Sequence, residues 1–327
     1  MKKNLLADKS ALMYDGALVS DLMTLSAPGM KKDAFSVKAQ ALTPDGHKIV
    51  IENYDSMLRA LNTPAKKLLN TAIIYLAASN GHKQKSVNPS VEIPFLEYAE
   101  ACGIRTEPRR MESSEDQAAE DRKTAFRLKH LKKDIRRDLQ DISSILWTAT
   151  ETKGANKGDY IEMRVISSHS IKKGMIRINF DVQAAAYLAK SYLISHPLAL
   201  LKVDNRNPNA YVLGYKIAQR SSFSGNAERS WQNALSVEKL LASAPEIQSY
   251  EELRAKGQRN WKEKIKRPLE GALDELIRAG VIESWIYKES GTDGEKLSRD
   301  DAETLSFLQF VHLIVSFDLA PDPSKKE

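Results

Sequence analysis

Lysine and arginine side chains grouped on a helix can neutralise an anion, and this sequence groups them twice. In Arg259–Tyr287, Trp261, Ile265, Leu269, Leu273 and Leu276 recur every three or four residues, which predicts a helix with one apolar face. Arg259, Asn260, Lys262, Lys264, Lys266 and Arg267 crowd its start, and Glu270, Asp274 and Glu275 follow. That order opposes the helix dipole, which favours acids first and bases last by about 0.3–1 kcal/mol per charge. A phosphate held at the helix start would offset the mismatch. Arg122–Leu146 shows the same order. Leu128, Leu131, Ile135, Leu139, Ile142 and Leu146 give the apolar face. Arg122, Lys123, Arg127, Lys129, His130, Lys132, Lys133, Arg136 and Arg137 load the first two-thirds, and Asp138 and Asp141 come after. One such helix is compatible with a solvated face; two in one chain point to a polyanionic partner.

Other chemistry has little to stand on. The histidines are His47, His82, His130, His169, His196 and His312, and no two share a metal-ligand spacing. The single cysteine, Cys102, excludes a cysteine-based zinc site and an internal disulfide, lies in an apolar run, and suggests a reducing compartment. No phosphate-binding GxxxxGK[ST] motif occurs. No tyrosine has an evident metal or base beside it. Aromatic residues make up 7% and are not interleaved with basic ones as a single-strand binder prefers. No enzyme activity, cofactor or metal is expected.

The elements that position the basic helices follow from the pattern. The chain has 327 residues, enough for two domains. Hydrophobic residues make up 42% and charged ones 28%, as in a globular protein. The net charge of +6 leans towards an anionic partner. No apolar run is long enough to span a membrane, and the N-terminus lacks the apolar core of a leader, so a cytoplasmic protein is expected. Residues 1–62 are expected to form an N-terminal arm with a hairpin, its strands Phe35–Leu42 and His47–Glu52 flanking a Thr-Pro-Asp-Gly turn. Thr63-Pro64 opens a helix that ends at Asn80-Gly81. Val91–Pro94 predicts a strand, Phe95–Cys102 a short helix and Glu107–Asp121 a solvated connection. After the basic helix come Leu146–Thr150, then strands Tyr160–Ile166 and Met175–Phe180. Between the latter two lies a polar tip that carries Lys172 and Lys173. Past a break at His196-Pro197 the order repeats: helix Pro208–Ser222, short helix Leu235–Ser243 capped by Ser236, the second basic helix, strand Val281–Tyr287, a long polar tip, and strand Phe310–Phe317. Pro268 either kinks the second basic helix or marks where regular helix starts.

The fold class expected is therefore α+β: two winged helix-turn-helix domains in tandem, residues 63–195 and 196–327, preceded by the arm. In such a domain the long helix enters the major groove and the hairpin lies along the backbone. Arg122, Lys123, Arg127, Lys129, His130, Lys133, Arg136 and Arg137 would contact DNA from the first helix. Arg259, Asn260, Lys262, Lys264, Lys266 and Arg267 would do so from the second, and Lys172 and Lys173 from the first wing. Arg and Asn suit base edges and Lys suits phosphate.

The tract Asn209–Tyr287 resembles plasmid replication initiators of the iteron-binding, two-winged-helix class. The residues that carry it are Tyr211-Val212-Leu213-Gly214-Tyr215-Lys216, Leu235-Ser236-Val237-Glu238-Lys239-Leu240-Leu241, and Tyr250. Trp261 follows with Lys264-Ile265-Lys266-Arg267-Pro268-Leu269, then Ala272-Leu273-Asp274-Glu275-Leu276-Ile277. Residues 63–195 match the same class by pattern. The connector Glu107–Asp121, the N-terminal hairpin and the long second tip depart from it. The resemblance implies a bacterial protein that binds directly repeated origin sequences in double-stranded DNA. It also implies self-association as a dimer, and host initiator and replicative helicase as partners. A winged-helix transcription regulator without a replication role is the alternative, and a DNA-nicking enzyme a further one.

Overall fold

The computed structural model describes residues 4–25, 31–32, 39–42, 47–51, 61–81, 86–150, 160–223, 233–257, 259–290 and 294–320. Two compact units divide the chain, Met1–Leu193 and Ile194–Glu327. Both are mixed α and β, with helices packed on small antiparallel sheets.

The first unit is assembled around its most buried helix. Strand β1 (Ser10–Asp15) and helix α1 (Ala17–Thr24) come first, then β2 (Lys31–Lys32), β3 (Ala39–Leu42), β4 (Lys48–Ile51) and α2 (Thr63–Asn80). The Asn62 side chain caps α2 by accepting from Ala65 N at 2.8 Å, with Pro64 in the first turn. The cap thus falls one residue before the expected Thr63, which is itself buried. Leu68, Leu69, Ile73 and Leu76 are buried, and so is Lys66. Its ammonium donates to the carbonyls of Met23 (2.6 Å) and Leu25 (2.9 Å) at the C-terminal end of α1. A cation there meets both the free carbonyls and the negative end of the helix dipole.

That contact corrects the expectation that the residues ahead of the hairpin form an arm. Met13, Tyr14, Leu18, Val19, Leu22 and Met23 are core. Asp21 of α1 accepts from Trp147 Nε1 at 2.8 Å and lies 2.7 Å from His47 Nδ1. An eight-residue helix whose sides are mostly buried shows too little alternation for a sequence reading to find it.

Farther along lie β5 (Ser90–Pro94), α3 (Phe95–Ala101), α4 (Ser114–Ser143), β6 (Ile145–Thr150), β7 (Tyr160–Arg164), β8 (Ile166–Lys172), β9 (Met175–Phe180) and α5 (Val182–Lys190). One sheet has the order β2-β3-β4-β6-β7, and it contains the expected N-terminal hairpin as β3–β4, with Ala39 opposite Ile51 and Leu42 opposite Lys48. The turn at 43–46 lies outside the described residues. A second sheet has the order β5-β9-β8. The partner of β9 is therefore Ile166–Lys172, the stretch expected as a polar tip, while Tyr160–Arg164 pairs with β6. Two of the residues that alternate along β8 are serines, Ser168 and Ser170, so it carries no apolar signature.

The chain next forms β10 (Tyr192–Pro197), and the second unit holds α6 (Pro208–Phe223), β11 (Ala234–Ser236), α7 (Val237–Ser243) and α8 (Tyr250–Ala255). A π turn over Lys262–Lys266 then runs straight into α9 (Arg267–Ala279), and β12 (Ile282–Lys288), β13 (Lys296–Leu297), α10 (Arg299–Thr304), α11 (Phe307–Val311) and β14 (Ile314–Leu319) follow. The wide turn takes up the proline: Pro268 sits in the first turn of regular α-helix, where its missing N–H costs least. Gly214 in α6 faces α9 and the Leu200 side chain. A Cβ there would come within 2.2 Å of Leu200 Cδ2 and 2.7 Å of Leu276 Cδ2, so a larger residue would require those leucine ends to shift. Gly280 ends α9 with φ 77°, a left-handed cap. The expected return strand from Phe310 begins later. Ser306 and Gln309 form a capping box that makes Phe307–Val311 helical. The sheet order is β11-β14-β12-β13. In both units, then, the strand before the short helix pairs with the last long strand, which pairs with the one between.

The seam between α4 and α2 contains a carboxyl as well as apolar groups. Ile135, Leu139 and Ile142 are buried there, and Asp138 with them, its Oδ1 3.4 Å from Asn62 Nδ2. Burial pushes the Asp138 carboxyl up to about 7, against the Asn62 hydrogen bond and the Arg137 charge, which pull it down. The folded state therefore binds this proton more tightly than the unfolded chain. The contribution is least unfavourable near the usual carboxylate pKa of 3.8 and worsens as pH rises towards 7. Asp138→Asn keeps an acceptor for Asn62 and removes the charge. Thermal unfolding from pH 4 to pH 8 should show the variant level with the wild type at pH 4. At pH 8 it should be more stable by on the order of 1–3 kcal/mol. A stability difference that did not change over that range would show the carboxylate to be solvated.

Candidate nucleic-acid interface

Helix α4 begins eight residues before the expected start. Ser113 Oγ accepts from Asp116 N at 3.1 Å, and Glu115 and Asp116 occupy the first turn. Gln117 braces the approach by accepting from Met111 N (2.8 Å) and donating to the Arg109 carbonyl (3.1 Å). Much of the expected connector Glu107–Asp121 is thus helix, and its acids come first. The reversed charge order inferred for this helix is corrected: its N-terminus obeys the dipole and would repel phosphate. The sequence reading started the helix where apolar periodicity starts. The first turns stand clear of the core and need no apolar face.

What survives is a face. Arg122, Lys123, Arg127, Lys129, His130, Lys133, Arg136 and Arg137 are all exposed, while Thr124, Ile135, Asp138, Leu139 and Ile142 point inward. Steps of three and four carry Arg122, Phe126, Lys129, Lys133 and Arg136–Arg137 along one outward stripe. Arg137 lies 3.4 Å from Asp134 and 3.9 Å from Asp138. Arg127 donates to the Arg105 carbonyl at 3.4 Å, and Arg122 to that of Ala118 at 3.1 Å. Lys123, Lys129, Lys133 and Arg136 have no acidic partner among the described residues. The sequence reading passed over Phe126. It is 64% exposed within the stripe, and its ring centroid is 4.1 Å from that of His130. Its signal was available, as an apolar residue out of phase with Leu128, Leu131 and Ile135.

Lys172 and Lys173 are exposed at the end of the β8–β9 hairpin. Lys172 pairs with Met175, which leaves a two-residue turn of Lys173 (φ 51°) and Gly174 (φ 73°). Positive φ at both positions is what a type I′ turn needs, and Asn or Gly normally fills the first. Lysine in that conformation costs roughly 1–2 kcal/mol. Lys173→Gly should therefore raise hairpin stability by about 1 kcal/mol, read as a higher Tm, while it lowers affinity for any DNA duplex. A variant that gained stability with unchanged affinity would remove Lys173 from the interface.

In the second unit the basic cluster is largely spent internally. Lys266 is only 1% exposed and pairs with Glu270 (3.2 Å) and Glu303 (2.9 Å). Lys262 donates to the Glu303 carbonyl, and Arg267 pairs with Glu263 at 2.7 Å. The long polar tip supplies these partners: α10 folds back against the basic helix start. Arg299 there pairs with Asp274 and lies 4.4 Å over the Trp285 ring, and the Lys266 hydrogen bond holds the Glu303 carboxyl below its ordinary range. The expectation that Lys266 contacts DNA is corrected; Glu270 lies one turn on, but Glu303, thirty-seven residues away, could not be read from spacing. Arg259, Asn260 and Lys264 remain exposed, and so does the paired Arg267. Lys266→Met should destabilise the unit by on the order of 1–3 kcal/mol, because Glu270 is left partly buried without its cation. Urea unfolding measures this. The folded variant should bind duplex as the wild type does, whereas Lys264→Ala should weaken binding at unchanged stability.

Other candidate chemistry is sparse. Among the described residues, no three His, Cys, Asp or Glu side chains group as a metal site requires, and no helix is long and apolar enough to cross a membrane. Burial pushes the Cys102 thiol up to about 11, so it is protonated at neutral pH. No family model and no curated protein matches the chain. Among solved structures it is similar to the crystal structure of RctB domains 2-3, RctB-155-483, at 8% identity over 90% of each chain, with a TM-score of 0.38.

Proposed function

We propose that the chain is a sequence-specific double-stranded DNA-binding protein of two winged-helix domains, acting as an initiator of plasmid replication. The observation that carries DNA binding is the outward stripe of α4, cationic on one side of the helix and core on the other. With β6 and β7 set aside in the first unit and α8, β13, α10 and α11 in the second, both units share one element order that supports the domain type: helix, strand, short helix, long helix, strand, strand, with the first strand beside the last. In that arrangement α4 is the first recognition helix and β8–β9 its wing, and the π turn with α9 is the second recognition element. Arg122, Lys129, Lys133 and Lys172 take phosphates, and Arg137 is placed to reach a base edge. The role in replication rests on the resemblance of Asn209–Tyr287 to iteron-binding initiators. It brings with it direct repeats as the target, a dimeric form, and host replication factors as partners. The protein performs no covalent chemistry on DNA in this reading.

Footprinting on the DNA that flanks its own gene tests the proposal. Direct repeats protected in phase are the expected result; one inverted repeat would make the protein a regulator, and metal-dependent nicking would make it an enzyme. The plot of log affinity against log salt should fall by about 0.9 per neutralised phosphate, and Lys133→Ala should flatten it by roughly one contact on every duplex.

A further inference from the structure

Phe126 stands where a surface phenylalanine has no structural task. Ile135, nine positions on and about 180° around the helix, points into the core, so Phe126 points directly away from it. Lys133 and Arg137 lie within about 20° of the same line, and Arg122 and His130 about 40° to either side. Isolated exposed apolar residues are ordinary. This one occupies the centre line of a cationic stripe and has cations on both flanks. The His130 ring packs on it at 4.1 Å and fixes its orientation.

We infer that Phe126 reads thymine, by packing its ring against the C5-methyl group on the floor of the major groove. The inference rests on the DNA-binding reading of α4 and adds a base to it. A helix about 10–12 Å across fills a groove about 12 Å wide. Its centre line then meets the groove floor, and its flanks meet the two phosphate walls. Arg122, Lys129 and His130 suit the walls. At the floor an apolar ring has one apolar group to recognise, the thymine methyl. The acidic first turns, with Glu115, Asp116 and Asp121 exposed, keep the helix N-terminus away from phosphate. The middle of the helix, where Phe126 sits, is then the part that seats deepest.

The test uses the full chain and a duplex it selects from a random pool. Affinities are measured for the wild type, Phe126→Ala, Phe126→Leu and Lys133→Ala on that duplex and on a random one. Each thymine of the selected site is also replaced in turn by deoxyuridine, which removes only the methyl. We expect one deoxyuridine position to weaken the wild type several-fold. Phe126→Ala should lose about tenfold on the selected duplex and under twofold on the random one, with the Tm unchanged. At the sensitive position the two losses should not multiply, and Phe126→Leu should recover part of the affinity. The inference is overturned if Phe126→Ala binds as the wild type, loses equally on both duplexes, or multiplies with every deoxyuridine. Lys133→Ala separates the two readings. If it weakens both duplexes while Phe126 shows no coupling, α4 still binds DNA and only the thymine contact fails. If Lys133→Ala has no effect either, the interface itself is misplaced.

Discussion

The packing of α4 on α2 is the constraint on which the first unit's functional surface depends. Ile135, Leu139 and Ile142 enter the seam, and because a helix turns about 100° per residue, that choice fixes the outward face for the whole of its length. The stripe from Arg122 to Arg137 needs no device of its own; it is what remains once the apolar residues are satisfied. Asp138 sits in the same seam against Asn62, the residue that caps the start of α2, so the cap of α2 also touches the helix that α2 orients.

Two buried lysines hold the fold together rather than face a partner. Lys66 is buried on α2 and closes the C-terminal end of α1 by donating to two carbonyls. Lys266 is buried at the junction of the π turn with α9 and ties α10 to it through Glu303. Each would count as a cation available to DNA in any tally of charge. Each instead joins segments that local propensity would leave loose: an eight-residue helix in one unit, and a polar excursion between strands in the other. Net charge is thus a poor measure of the interface, whose strength depends on the lysines and arginines left without acids.

The units put the same element order to different use. In the first, the hairpin after the long helix is tight, with Lys173 held in a strained turn at its end. In the second, the corresponding excursion carries β13, α10 and α11, and it turns back to neutralise the start of the basic helix. The first unit therefore presents a broad cationic helix with a charged hairpin end, and the second a smaller set, Arg259, Asn260 and Lys264, with Arg267 already paired. If both units contact DNA as proposed, that difference in free charge divides them into a stronger and a weaker contact.

The sequence by itself determined the elements whose signals are local. The caps and stops at Asn80-Gly81, Ser236 and Gly280, the apolar periodicity of α2, α4 and α9, and the exposed basic residues of α4 follow from patterns within one turn or one helix. Tertiary structure alone decided the rest, because each remaining point turns on partners far apart in the chain. Residues Ser10–Leu25 join the core through Met13, Tyr14, Leu18, Val19 and Leu22, and a lysine about forty positions later closes the end of α1. The strand beside β9 is Ile166–Lys172, while Tyr160–Arg164 pairs with β6. Lys266 leaves the candidate interface because Glu303 reaches it, and Phe126 enters because the core claims the opposite side of its helix. Periodicity states which residues share a face; only packing states which face the solvent keeps.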